Sequence, residues 1–286
     1  MSRFNLRKSL LLTVLGLYLT LAVWGWSDRF PADWEYVRRD TALATFYPPS
    51  PNHILGIFFQ QDLFVSFVRS TYSAFVAGSV ALVSFLVIGI LLGVGSGINI
   101  GKWQDVLNGT MKILNAFPKF IVLLLYAGLF SVNLIHMLIL YGIISAPKLG
   151  ELLKARIEEL KREDFIDASI ALGIPIPQII ARHVLWHHSR HMILSQLFYM
   201  FAMAIFMEAS LAYLNLGIEE GYQSWGLMLN YATSVGGLTF FTWPWNPNFN
   251  LPAFLPSMGL LIVILTLFGL SSLWAQEDKK RRGWTI

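Results

Sequence analysis

The sequence predicts an all-α integral membrane protein with six transmembrane helices, and three observations carry that expectation. Of 286 residues, 55% are hydrophobic and 13% charged, with mean hydropathy +0.57, whereas an ordinary soluble domain is about 25% charged. The apolar residues fall in runs close to the roughly 20 that cross a bilayer, not in amphipathic stripes. Lysine and arginine segregate to one set of loops once six spans are drawn. No cysteine is present, which excludes disulfides and thiolate metal sites. The excess of four positive charges reads as membrane orientation, not nucleic-acid binding.

The first span is Leu10 to Trp26, preceded by Arg3, Arg7 and Lys8. Trp24-Gly25-Trp26-Ser27 is a poor cleavage site, so the run reads as an uncleaved helix entering from the cytoplasm. Asp28 to Gln61 is polar and broken by Pro31, Pro48, Pro49 and Pro51, and is expected outside. The second span, Tyr72 to Ile100, is rich in Gly and Ser, which permit close helix packing. Met111 to Ala146 is too long for one span and tight for two. It reads as a hairpin of two short helices kinked near Pro118, with Asn133 in the middle and Lys112, Lys119 and Lys148 at the ends.

A polar cytoplasmic segment follows at about 148–190, then a span from His191 to Leu216, a loop from Gly217 to Pro252, and a last span from Ala253 to Trp274. The tail reads EDKKRRGW. The chain divides into an N-terminal helix with its extracytoplasmic segment (1–69) and a core of five helices (70–286). With both termini cytoplasmic, only Arg29, Arg38, Arg39 and Arg69 of the 21 Lys and Arg lie outside, leaving 21 − 4 = 17 inside. Such a bias sets orientation. Merging the hairpin into one span would export the final KKRR.

Two apparent motifs fail on chemistry. SGINIGKW (Ser96 to Trp103) lacks the leading Gly and the Ser or Thr after Lys that a phosphate-binding loop requires. His183, His187 and His191 fall at helical steps of four beside His188. However, no carboxylate lies between Asp167 and Glu208 to complete a catalytic metal site, and a weakly basic face at the headgroup level is the plainer reading. Glu208 sits inside an apolar run, where a carboxylate is expensive. It is either part of a translocation path or a structurally paired acid. Trp243 and Trp245, in FFTWPWNPNFNLP, suit interface anchoring.

The most informative stretch is EDFIDASIALGIPIPQIIARHVLW, residues 163–186. Asp164 to Leu172 can form a short helix, and Gly173 can end it in the left-handed conformation. Pro175 and Pro177 delay continuation until about Gln178. A helix–turn–helix knob without a core of its own is suited to docking in a groove on another protein.

These residues resemble a known family. Asp167-Ala168-Ser169 and Gly173 look like the Glu-Ala-Ala…Gly loop of bacterial ABC-importer permeases. Arg182-His183-Val184-Leu185 resembles the Arg-His-Ile-Leu of the dipeptide/oligopeptide/nickel branch. Glu208-Ala-Ser-Leu-Ala-Tyr-Leu-Asn-Leu-Gly217 is similar to its Glu-Ala-x-Leu-Ser-Phe-Leu-Gly-Leu-Gly signature. Ser224-Trp225-Gly226 and Asn115-Ala-Phe-Pro118 match two further motifs. The likeness runs from about His53 to the end and points to the second, C-type permease subunit. Departures are Asp167 for Glu, Ser169 for Ala, Trp186 where the branch carries Pro, and HILGIFFQQD for its outer Gly-Asp-Glu-x-Gly-Arg-Asp stretch.

The resemblance implies a type I importer permease (MetI-like) fold in the bacterial inner membrane. It implies a pore shared with a second, non-identical permease, two cytoplasmic ABC ATPases, and a periplasmic binding protein delivering peptides or a similar small solute. ATP and Mg would sit on the ATPases, with no cofactor on this chain and no enzyme activity of its own. Asp167, Ala168, Ser169, Gly173, Arg182 and His183 would form the ATPase-coupling loop. Two rival expectations are an ion-coupled secondary transporter and a membrane metal-dependent enzyme built on the His cluster and Glu208.

Overall fold

The structure, a computed structural model, describes residues 3–30, 46–47, 49–51, 53–58, 61–98, 101–130, 133–161, 163, 169, 171–175, 178–219, 221–234 and 250–281. Five helices are long and apolar enough to cross a membrane: α1 (Arg3–Ser27), α2 (Leu63–Gly97), α5 (Leu134–Leu160), α6 (Arg190–Tyr213) and α8 (Leu251–Arg281). Between α2 and α5 lie α3 (Lys102–Ala116) and α4 (Lys119–Leu129), which meet at an 83° bend and together qualify as a sixth span. The bend falls at Phe117-Pro118, where extended backbone (ψ 136° and 112°) interrupts the helix.

Helix direction supports that sixth crossing independently. Along α2 and α5, Ala81 and Ser84 approach Gly142, Gly89 approaches Leu149, Gly93 approaches Leu153, and Gly97 approaches Ile157. Residue numbers rise together, so α2 and α5 are parallel. Parallel neighbours joined by a single connection require the chain to return across the layer between them, and α3–α4 is that return. The seam is close because glycine faces it. A Cβ at Gly93 would come within 2.9 Å of the Gly150 carbonyl, and one at Gly142 would overlap the Ala81 carbonyl. In lipid, where tails are as apolar as leucine, this van der Waals proximity is what drives helices together.

The α2–α5 seam holds one core, which includes Phe85, Leu138, Tyr141, Leu149 and Leu153. A second core joins α1, α2, α6, α8 and a short helix α7 (Trp225–Ser234) through Tyr18, Ala202, Ile205, Trp225 and Leu267. At one end of this group Lys8 Nζ donates to Glu277 Oε1 (3.5 Å), and His191 Nδ1 lies 3.4 Å from Glu277 Oε2, tying α1, α6 and α8. At the opposite end Arg69 pairs with Asp28 at 2.6 Å.

The second span begins nine residues earlier than the hydropathy run suggests, so the 69/70 division falls inside one helix. The cause is a cap. Asp62 Oδ1 accepts from the Val65 amide (3.0 Å) and its Oδ2 lies 2.8 Å from His53 Nδ1. Before it, β1 (Phe46–Tyr47), β2 (Ile57–Phe58) and β3 (Gln61–Asp62) form a small antiparallel sheet. At 35 residues, α2 is about 52 Å long, longer than the roughly 30 Å hydrocarbon core, so its first turns can stand clear of it.

The expected hairpin is also redistributed. Its first arm, α4, has 11 residues, and its second continues through Pro147 and Lys148 to Leu160. The polar stretch from Lys148 therefore begins inside α5 and not after its end. The final helix likewise absorbs the start of the charged tail, running to Arg281.

Candidate functional site

The segment from 163 to 188 is built from two local devices. Ser169 and Ala171 are helical, and Gly173 follows at φ +78°. The Ile174 amide donates to the Ser169 carbonyl at 3.1 Å, the six-to-one bond of a helix end closed by a left-handed glycine. The Pro175 carbonyl then accepts from the Gln178 and Ile179 amides (2.9 and 3.2 Å) and starts the next helix. That helix, Ile179–His188, is wound wider than an α-helix, a geometry that concentrates at functional sites. The restart agrees with the expected one near Gln178.

This arm has an anchored face and an exposed one. Ile179, Ile180 and Val184 are buried, and Val184 packs with Ile157 and Leu160 of α5 and against Val94 of α2. Arg156, itself buried, donates from Nη1 to Glu159 Oε2 (2.7 Å) and from Nη2 to the His188 carbonyl (2.9 Å). The arm is thus fastened to the ends of both helices of the glycine seam. Leu172 and Trp186 remain 80% and 66% exposed, and Arg182, His187 and His188 are exposed beside them. Ser169 is buried. Asp167, Ala168 and the His183 side chain lie outside the described residues, as do Trp243 and Trp245. Among the described residues no three His, Asp or Glu side chains converge on a metal position.

The second motif group closes the opposite end of α6. Glu208 is fully buried and accepts from Tyr222 Oη at 3.1 Å. Burial pushes the Tyr222 phenol well above its ordinary value, so it stays protonated and donates. Gly226 packs so closely on α6 that a Cβ there would overlap the Ala209 carbonyl, and Trp225 Nε1 donates to the Phe67 carbonyl at 3.3 Å. Glu-Ala of 208–209 and Ser-Trp-Gly of 224–226, separate in sequence, are therefore one packing unit. Asn215 adopts φ +58°, with the Leu216 amide donating to Leu211 and the Asn215 amide to Ala212 (3.0 and 2.9 Å). That is a complete left-handed helix end. Asn replaces Gly there without loss of form because its short polar side chain tolerates this region.

Sequence comparison finds relatives with explicit names. The dipeptide transport system permease protein DppC of Alkalihalophilus pseudofirmus is 28% identical over 219 residues, 76% of this chain and 68% of that protein. The chain is similar to peptide-transport permeases along most of its length. The oligopeptide permease OppC of Haemophilus influenzae is 25% identical over 261 residues, 91% of this chain and 78% of its own length. A peptide permease protein of Brucella ovis is 31% identical over 159 residues, 55% of this chain. The chain spans about half the length of that relative and of its Brucella suis counterpart, 52% in each case. No family model matches the chain.

Sequence reasoning misses Arg156 and the Glu208–Tyr222 bond. Arg156 looks like one charge among many on a polar helix end, and its key acceptor is a backbone carbonyl, which leaves no trace in a sequence.

Proposed function

We propose that this chain is the C-type permease subunit of an ATP-driven importer of peptides or a similar small solute. It forms the pore with a second permease, while two cytoplasmic ATPases grip the arm and a periplasmic protein delivers cargo. In this reading both termini and the arm are cytoplasmic, the membrane is the bacterial inner membrane, and ATP and Mg belong to the ATPases. The observation that carries it is the two-faced arm. Its buried side is fastened by Arg156 and Val184 to the ends of α2 and α5, while Leu172 and Trp186 are left uncovered. Exposed apolar anchors on a short rigid element suit a groove in a partner, and movement of that partner would pass directly into the two most closely packed spans. Gly173 sets the turn. Asp167 pairs with the ATPase, Ala168 and Ser169 permit close approach, and Arg182 with His183 come next in the chain toward α6.

The test is Gly173→Val against Gly173→Asn. Among the described residues nothing lies within 4 Å of a Cβ there, so the φ of +78° is what penalises valine, by about 1–2 kcal/mol, whereas asparagine tolerates the region. The valine variant is expected to reach the membrane but to lose solute uptake and ATPase retention, and the asparagine variant to keep most of both. Full uptake by the valine variant, or uptake that follows the proton gradient and ignores ATP, contradicts the proposal.

A further inference from the structure

Two lysines occupy positions in the spanning segments for which the loop reading has no place. Lys119 opens α4, and Lys148, expected in a cytoplasmic loop, lies near the middle of α5. Both line a 300 Å³ cavity between α2, α4, α5 and α6, together with Tyr141, Ser145, Gln196 and Tyr199. No Asp or Glu is among its described lining residues. Lys148 Nζ stands 4.2 Å from the centroid of the Tyr199 ring, a contact that steadies an ammonium without neutralising it. Ser145 is 2% exposed beside Tyr141, and Gln196 Oε1 has no hydrogen-bond partner among the described residues.

Cations in a membrane interior are costly and normally pair with an acid or serve a path. Here two ammonium groups and a buried hydroxyl share one cavity with no Asp or Glu among its described lining residues. The volume is at the lower end of ligand pockets, about 300–1,000 Å³, which suits one charged end of a small molecule and not a whole peptide. Met200, Met203 and Met207 form part of the wall, and methionine adapts to varied shapes.

We propose that this cavity is an anion site that receives a carboxylate of the passing solute, held by Lys119 and Lys148 with Ser145 as a further donor. Its place on a transport route rests on the permease reading, but anion binding does not. The test is NMR of the full-length chain with ¹³C-methyl methionine in phosphatidylcholine nanodiscs, titrated with N-acetylglutamate and, separately, with its neutral diamide. A saturable shift of cavity methionine methyls by the acid alone is expected, weakened about 10-fold by Lys119→Met or Lys148→Met, as the loss of one ionic contact implies. Equal shifts from the diamide, or no saturable shift, overturn the site. Shifts that appear only when phosphatidylglycerol replaces phosphatidylcholine also overturn it, in favour of a lipid headgroup. The wild-type comparison of acid with diamide stands even if a lysine variant misfolds. ATPase co-purification tests the permease reading separately, so a silent titration removes this site and leaves the transporter.

Discussion

At the residue scale, the position of the arm depends on Arg156. Its guanidinium spans two acceptors, a carboxylate on its own helix and the His188 carbonyl on the arm. A lysine ammonium lacks the fork to satisfy both at once. Arg156→Ala is expected to cost about 1–3 kcal/mol, because a hydrogen-bonded carbonyl at a packed junction loses its donor. The arm should become protease-sensitive while the helices stay inserted, and Arg156→Lys should fall between the two. Limited proteolysis in detergent, read by mass spectrometry, checks this; an arm cleaved no faster than in the wild type counts against the anchoring role. Gly173 is legible in the sequence because a helix end flanked by prolines calls for a left-handed residue. Arg156 is not, because its acceptor lies 32 residues away on the backbone.

At the element scale, the parallel α2–α5 seam fixes the frame to which the arm is attached. Gly142→Val places branched atoms against the Ala81 carbonyl and Ser84, and backbone cannot retreat as a side-chain tip can. A loss of about 3 kcal/mol follows from such overpacking, with a lower melting temperature and aggregation on size-exclusion chromatography. Gly109→Ala, on α3 where nothing lies within 4 Å of a Cβ, should be neutral or slightly stabilising, since alanine favours helix more than glycine does. A normal Gly142→Val protein would sink the seam as the structural frame. The sequence reveals that α2 is glycine-rich but not which helix it meets. It also misplaces the end of α5, because Pro147 and Lys148 look like a loop. Spanning helices tolerate proline, and Lys148 finds the Tyr199 ring. The Pro118 break is visible in the sequence. The amphipathic α3 before it is not, since Trp103, Val106 and Ile113 are exposed apolar residues interleaved with polar ones and too short a pattern to register as a span.

At the scale of the whole molecule, six crossings place the start of α1, the end of α2, the arm and the C-terminal end of α8 on one side. They place the end of α1, the start of α2, the junction of α4 with α5 and the end of α6 on the other. The run count and charge asymmetry make this arrangement readable from sequence, and the parallel α2–α5 register supports it on separate grounds. What hydropathy cannot give is which exposed residues, such as Leu172 and Trp186, meet the partners that the proposed function requires. The chain contains no cysteine, so one introduced thiol is a unique reporter. The most direct measurement is therefore a benzophenone-maleimide cross-link from Leu172→Cys in the assembled complex. The account predicts a covalent adduct with an ATP-hydrolysing subunit and labelling of the thiol only from the cytoplasmic face. Labelling from outside the cell, or a purified complex in which residue 172 cross-links to no ATPase, would contradict it.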